Sequence, residues 1–186
     1  MYKISIVLTV SLMIVAGIIG VGIGYYLTPQ YALTMYDKNV MSLGTSDRWL
    51  DLRYINAMIA HHRGAILIAK QAELSQRAEV RDLAREIQKN EPPLIDELYA
   101  WKKEWYGDTK RVADPAIPHL GSYNKTFDLR FLNALISHHE SGILMTKEVR
   151  TKSSRSEVLD NADAVEAFLT STGKMLRERR KNWYQM

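Results

Sequence analysis

Cysteine is absent from the 186-residue chain. That removes a disulfide framework, a thiolate metal site and a cysteine-linked lipid anchor. Any bound metal must be held by His, Met, Asp, Glu or Asn. Glu-x-x-His is also absent, so the di-iron oxidase chemistry of helical bundles has no ligand set here. His138-His139-Glu140 lacks the spacing of a zinc hydrolase site. There is no Gly-rich phosphate loop and no nucleophile elbow, so an enzyme is not expected. A net charge of +4 and a pI of about 9.2 lack the strong basic clustering of a nucleic-acid binder. No alternating strand pattern is present.

One stretch lacks charge altogether. Ile4 to Leu27 is 24 residues without a charged side chain, and a helix needs about 20 apolar residues to cross a bilayer. Residues 1–28 are therefore expected to form a single transmembrane anchor in the cell membrane. Lys3 and the α-amine precede the run, and no charge follows until Asp37. The positive-inside rule then leaves the N-terminus cytoplasmic and the remainder extracytoplasmic. A cleaved signal peptide is the rival reading, but the run is longer than an ordinary h-region and no A-x-A site follows. Gly20 and Gly24 have the small-residue spacing that lets two membrane helices associate into a homo-oligomer. Residues 29–46 read as a linker. Pro29 ends the apolar helix, Tyr25, Tyr26 and Tyr31 suit an interface, and Ser46 or Asp47 can cap the next helix.

Beyond the linker the chain repeats itself. The run from Asp51 to His62 (DLRYINAMIAHH) returns without a gap as Asp128 to His139 (DLRFLNALISHH), 77 residues later. Trp105-Tyr106 returns as Trp183-Tyr184, at an offset of 78. Each copy has high helix propensity and reads as two helices, over about 47–74 and 77–105, then about 125–150 and 155–184. The expected fold is all-α: an antiparallel four-helix bundle of two tandem helical hairpins, at 47–107 and 124–186. Residues 108–123, with Pro115, Pro118 and Gly121, have loop composition. In an up-down-up-down bundle, α-helices two and four end where the first begins. The basic run Lys174, Arg177, Arg179, Arg180 and Lys181 would then face lipid headgroups or simply be a solvated helix end. Pro92-Pro93 is expected to break or kink the second helix near 89–93.

Four of the five histidines fall in two pairs, His61-His62 and His138-His139. His119 has no repeat partner and reads as an exposed loop residue. On a helical wheel His61 and His62 occupy the two shoulders of the apolar arc, about 100° apart, so one pair cannot easily share a metal. Met58 lies one turn earlier. A pseudo-twofold bundle would bring one histidine of each pair against its mate. Two imidazoles and a thioether suit copper, particularly Cu(I). Histidines bonded within the core are the other reading, and duplication would preserve those too.

The pattern Asp51…Tyr54…Met58-Ile59-x-His61-His62-x-x-Ala65-Ile66 resembles domain-of-unknown-function family 305. The segment Ile87…Glu91…Ile95…Leu98…Trp101 is similar to the family's second helix. The resemblance implies a ferritin-like helical bundle akin to periplasmic copper-binding proteins of the CopM type. It carries metal-binding roles onto Asp51, Met58, His61 and His62, and onto Asp128, His138 and His139. The family's second methionine falls on Met145, while repeat one has Ile68 there; repeat two has Leu135 in the place of Met58. Its second-helix Q-x-x-E-I is Glu91-Pro92-Pro93-Leu94-Ile95 in repeat one and Leu169-Thr170-Ser171-Thr172-Gly173 in repeat two. Two functions follow: a membrane-anchored, extracytoplasmic binder that sequesters a metal ion, copper first, or a metal-free four-helix scaffold.

Overall fold

A computed structural model of the chain describes residues 42–185. The expected membrane span and the linker up to residue 41 lie outside the described residues. Among the described residues no helix is long and apolar enough to cross a membrane. They form four helices and no strand: α1 Leu50–Ala72, α2 Ala78–Tyr106, α3 Phe127–Arg150 and α4 Ser156–Tyr184. This is the expected set, with no end shifted by more than about three residues.

Buried positions recur three or four residues apart along each helix, as a core-facing stripe requires. In α1 they include Tyr54, Ile55, Met58, Ile59, His62, Ala65, Ile68, Ala69 and Ala72. Burying a large apolar side chain contributes about 1.5–3 kcal/mol, enough to override modest propensities. α1 packs on α2, α3 packs on α4, and α1 packs on α3; α2 and α4 make no substantial contact with each other.

The repeat reaches further back than the helices. Arg53 donates from Nε to the Leu43 carbonyl at 2.5 Å and from a terminal nitrogen to the Thr45 carbonyl at 2.6 Å. Arg130 does the same to Leu120 and Ser122, at 2.6 and 2.9 Å. Leu43 and Leu120 are both buried. The residues after them, Gly44 and Gly121, have φ of +73° and +70°, a left-handed conformation that glycine adopts without a Cβ penalty. Asp47, an expected cap, accepts the Trp49 N–H at 2.8 Å, and Asn124 accepts the Thr126 N–H at 3.0 Å.

Each hairpin's turn is closed by the other hairpin. Asp51, at the start of α1, accepts from Ser153 Oγ at 2.6 Å and from Arg155 Nε at 3.3 Å, both in the α3–α4 turn. Asp128, at the start of α3, accepts from Ser75 Oγ and Arg77 Nε of the α1–α2 turn at the same two distances. Arg155 lies 4.2 Å over the Trp105 ring, and Arg77 lies 4.2 Å over Trp183. The Trp-Tyr repeats are thus platforms for the turn arginines.

These clamps fix the topology, and it is not up-down-up-down. The start of α1 meets the end of α3, so α1 and α3 are antiparallel and α4 ends at the opposite end of the bundle from the start of α1. The basic end of α4 therefore does not lie beside the start of α1. Instead Trp183 and Tyr184 pack on the core there, and Arg180 donates to Asn133 Oδ1 at 3.0 Å. Residues 107–126 must then run the length of the bundle. They are pinned on the way by Tyr99 Oη accepting from Val112, by an Arg63–Asp114 ion pair, and by Gln71 bonding Pro118 and Leu120.

The same symmetry divides the core into two apolar clusters. One joins the start of α1 to the ends of α2 and α3 and the start of α4: Tyr54, Met58, Leu98, Met145, Val158. The other joins the end of α1, the starts of α2 and α3 and the end of α4: Ile68, Ala84, Phe131, Leu135, Leu176. Helix α2 runs unbroken through Pro92 and Pro93, against the expected break. Both prolines are exposed, so water can satisfy the carbonyls of Gln88 and Lys89 that lose their intrahelical donors.

Candidate metal centre

Between the two apolar clusters, at the middle of α1 and α3, lies a layer of imidazoles. His61 and His138 are repeat mates, and their rings stack with centroids 3.8 Å apart and planes within 5°. His62 sits 6.1 Å from His61 and His139 sits 6.3 Å from His138, each pair edge-on. One histidine of each pair therefore meets its mate across the pseudo-twofold, and the other is set aside, as the 100° wheel requires.

Small residues let the rings approach. A Cβ at Gly142 would lie 2.7 Å from His61 Cε1 and Nε2 and 2.5 Å from Leu169 Cδ1. A Cβ at Gly64 would lie 3.3 Å from His138 Cε1. Each histidine thus packs across the facing helix at a glycine, though the two glycines are not repeat equivalents.

All four histidines line one cavity of about 510 Å³, which fills the gap between α2 and α4. Its walls are mostly apolar, with Leu83, Ile87, Leu94, Trp101, Val165 and Phe168 among them. Its carboxylates are Glu91, Glu97, Glu157 and Asp160, its thioether is Met175, and no Lys or Arg lines it. His62 Nδ1 pairs with Glu91 of α2. Three buried imidazole nitrogens have no hydrogen-bond partner, His62 Nε2 and both nitrogens of His138, while His139 bonds to the Leu135 backbone.

Burial sets the charge state of this layer. Removal from water, followed by the neighbouring imidazoles of His138, His62 and His139, holds His61 well below the ordinary histidine range. Burial first, then His139 and His62, pushes His138 down to about 3. Burial pushes His139 down to about 4, against a hydrogen bond to the Leu135 backbone that favours the charged form. These three rings are neutral at physiological pH, the state in which an imidazole can offer a lone pair to a metal.

The remaining sequence candidates stand elsewhere. Met58 and Met145 are buried together in one apolar cluster and do not line the cavity. Asp51 and Asp128 have their oxygens engaged in the turn clamps at opposite ends of the bundle. Among the described residues no three His, Asp or Glu side chains are arranged around one ion. His119 is exposed, and its Nδ1 accepts the Gly121 N–H at 2.9 Å. Sequence reasoning missed Met175 and the pairing of Glu91. It also missed the turn residues, although Ser-x-Arg recurs as Ser75-Gln76-Arg77 and Ser153-Ser154-Arg155, a signal available from the repeat alone.

Fold and site together define a duplicated-hairpin bundle with an imidazole layer at its centre. Residues 51–124 match the model of domain-of-unknown-function family 305, so the resemblance read from the sequence holds over the first hairpin and the crossing loop. No curated protein matches the sequence. Among solved structures, the chain is similar to CopM in the Cu(I)-bound form at 26% identity and a TM-score of 0.64, over 74% of this chain and 99% of that one. It is similar to CopM in the apo form at 26% identity and a TM-score of 0.61, over 70% and 96%. CopM in an Ag-bound form obtained by soaking gives 27% identity and a TM-score of 0.62, over 74% and 99%.

Proposed function

We propose that this protein binds a soft metal ion, copper first, in the cavity lined by the two histidine pairs. The observation that carries the reading is that rings from both repeats line one cavity and carry buried nitrogens with no hydrogen-bond partner. Buried polar atoms almost always have a partner, and neutral imidazole nitrogens are good donors to copper. A site without three converging ligands suits a monovalent ion that accepts few donors, such as Cu(I) or Ag(I), better than a tetrahedral zinc. His61, His62, His138 and His139 would supply the nitrogens, and Met175 could add a thioether after a side-chain rotation. Met58 and Met145 would shape the helix packing beside the layer, and Asp51 and Asp128 would hold its ends. Similarity to the CopM structures supports copper as the ion.

Anchoring by residues 1–28, with the bundle outside the cytoplasm, belongs to the same proposal. It rests on the uncharged run and the position of Lys3. The expected role is sequestration rather than catalysis. Titrating Cu(I) and Ag(I) into the full-length chain tests the binding. Replacing all four histidines by alanine is expected to abolish uptake; equal uptake by both proteins would return the chain to a metal-free scaffold. Recovery of the full-length chain in an alkali-washed membrane fraction is expected, and its release there would remove the anchor.

A further inference from the structure

The pseudo-twofold makes His61 and His138 equivalent, but it leaves His62 and His139 in different surroundings. His62 Nδ1 pairs with Glu91, and the two side chains are 7% and 13% exposed. Counting 78 residues on from Glu91 gives Leu169, a buried leucine. His139 pairs with no carboxylate and is supported only by a hydrogen bond to the Leu135 backbone of its own helix. The turn of helix that follows differs as well: Pro92-Pro93 in α2 stands against Thr170-Ser171 in α4. Glu91 is therefore a feature of one repeat only.

A neutral imidazole has one N–H and one lone pair, and its neighbours decide which nitrogen carries which. A carboxylate can only accept. With Glu91 at Nδ1, a neutral His62 keeps its proton on Nδ1 and its lone pair on Nε2. That Nε2 is buried, makes no hydrogen bond, and belongs to a ring that lines the cavity. A carboxylate behind a ligating imidazole also fixes the ring and raises its basicity. His139 has only the neutral Leu135 backbone behind it, so its ring lacks the added basicity that a carboxylate confers.

We propose that Glu91 is a positioning residue that holds the His62 lone pair on Nε2, and that it confines strong soft-metal binding to the repeat-one half of the imidazole layer. The inference rests on the metal-binding reading above. It assigns one primary ion per chain rather than one per repeat, with His62 as its principal donor.

Nitrogen-15 NMR of the imidazoles in the full-length chain reads the tautomers without metal, and silver nitrate titration reads the binding. In the wild type, His62 is expected in the Nδ1–H form and one Ag(I) is expected to bind tightly. Glu91→Leu, which installs the residue of repeat two, should release the tautomer and weaken Ag(I) about 10–100-fold. Glu91→Gln keeps an acceptor oxygen without the charge and should fall between. Leu169→Glu should give the His139 ring a carboxylate neighbour and raise the stoichiometry toward two. A wild-type His62 with its proton on Nε2 overturns the proposal without any metal. Tight Ag(I) uptake left unchanged in Glu91→Leu overturns the role of Glu91 alone. No uptake by the wild type overturns the metal reading itself, and with it the confinement of binding to repeat one.

Discussion

In both hairpins an arginine six residues past the turn at Asp47 or Asn124 brackets the preceding loop, and an aspartate clamps the opposite hairpin's turn against a tryptophan. Halfway along, the copies part. Met58 is matched by Leu135, Gly64 by Ser141, Ala65 by Gly142 and Glu91 by Leu169. The ends preserve a joint that both copies need, because each end is built from residues of both. The middle carries no such mutual constraint beyond the histidines, and there the copies have diverged in volume, sulfur and charge. The difference separates what holds the bundle together from what its centre can bind.

The sharpest way to divide centre from ends is acid. His61, His138 and His139 are held neutral in the folded chain, whereas an unfolded chain takes up protons below about 6.5. Stability from this layer is complete above pH 6.5 and falls as pH drops toward 4 and then 3, by on the order of 1 kcal/mol per pH unit for each such ring. Urea denaturation between pH 7 and pH 4.5 should show that slope, and His138→Leu should flatten it. A slope unchanged by His138→Leu would place the acid response outside the histidine layer.

A smaller loss is expected at the ends, and it should be the same at both. Removing Asp128 strands Ser75 and Arg77, and removing Asp51 strands Ser153 and Arg155. Charged hydrogen bonds of this kind are worth about 1.5–3 kcal/mol. Asp51→Ala and Asp128→Ala should each lower the unfolding free energy by that amount, with Ag(I) affinity kept. If either aspartate proves to be a metal ligand, its variant will lose uptake while staying folded, and the separation of ends from centre fails.

The smallest effect distinguishes the two glycines. Gly142→Ala drives a methyl into His61 and Leu169 and should cost about 1–3 kcal/mol while shifting the stacked rings, seen in their proton chemical shifts. Gly64→Ala meets only 3.3 Å neighbours, and the helix gain of about 0.5–1 kcal/mol for alanine over glycine offsets the crowding. Equal losses at the two sites would mean that the rings are not packed as described.

Much of this was legible in the sequence. The 77-residue echo of Asp51 to His62 carries the bundle, the helix pairs and the meeting of one histidine of each pair with its mate, but not which of the two meets. The direction of the second hairpin was hidden, because both an aligned and an inverted hairpin bury the same stripe. What decides it is the pairing of Asp51 with Ser153 and Arg155, contacts between residues about a hundred positions apart with no local pattern. The unbroken α2 was misread for a different reason. Proline rules weigh lost backbone bonds, and Pro92-Pro93 sits on an exposed face where water replaces them. Met58 drew attention through its place one turn before the histidines, and Asp51 and Asp128 through the family pattern, but position along a helix does not reveal which layer of a bundle a side chain reaches.

The reciprocal clamps also govern how the molecule assembles in time. Either hairpin can close on itself with contacts near in sequence, which are quick to form. Its turn, however, keeps a serine hydroxyl and an arginine without their carboxylate until the other copy arrives. Docking is then the step at which both turns, both tryptophan platforms and the histidine stack are completed together. The loop of residues 107–126 keeps the two halves on one tether for that encounter, so a cut within it should slow refolding and make its rate depend on protein concentration.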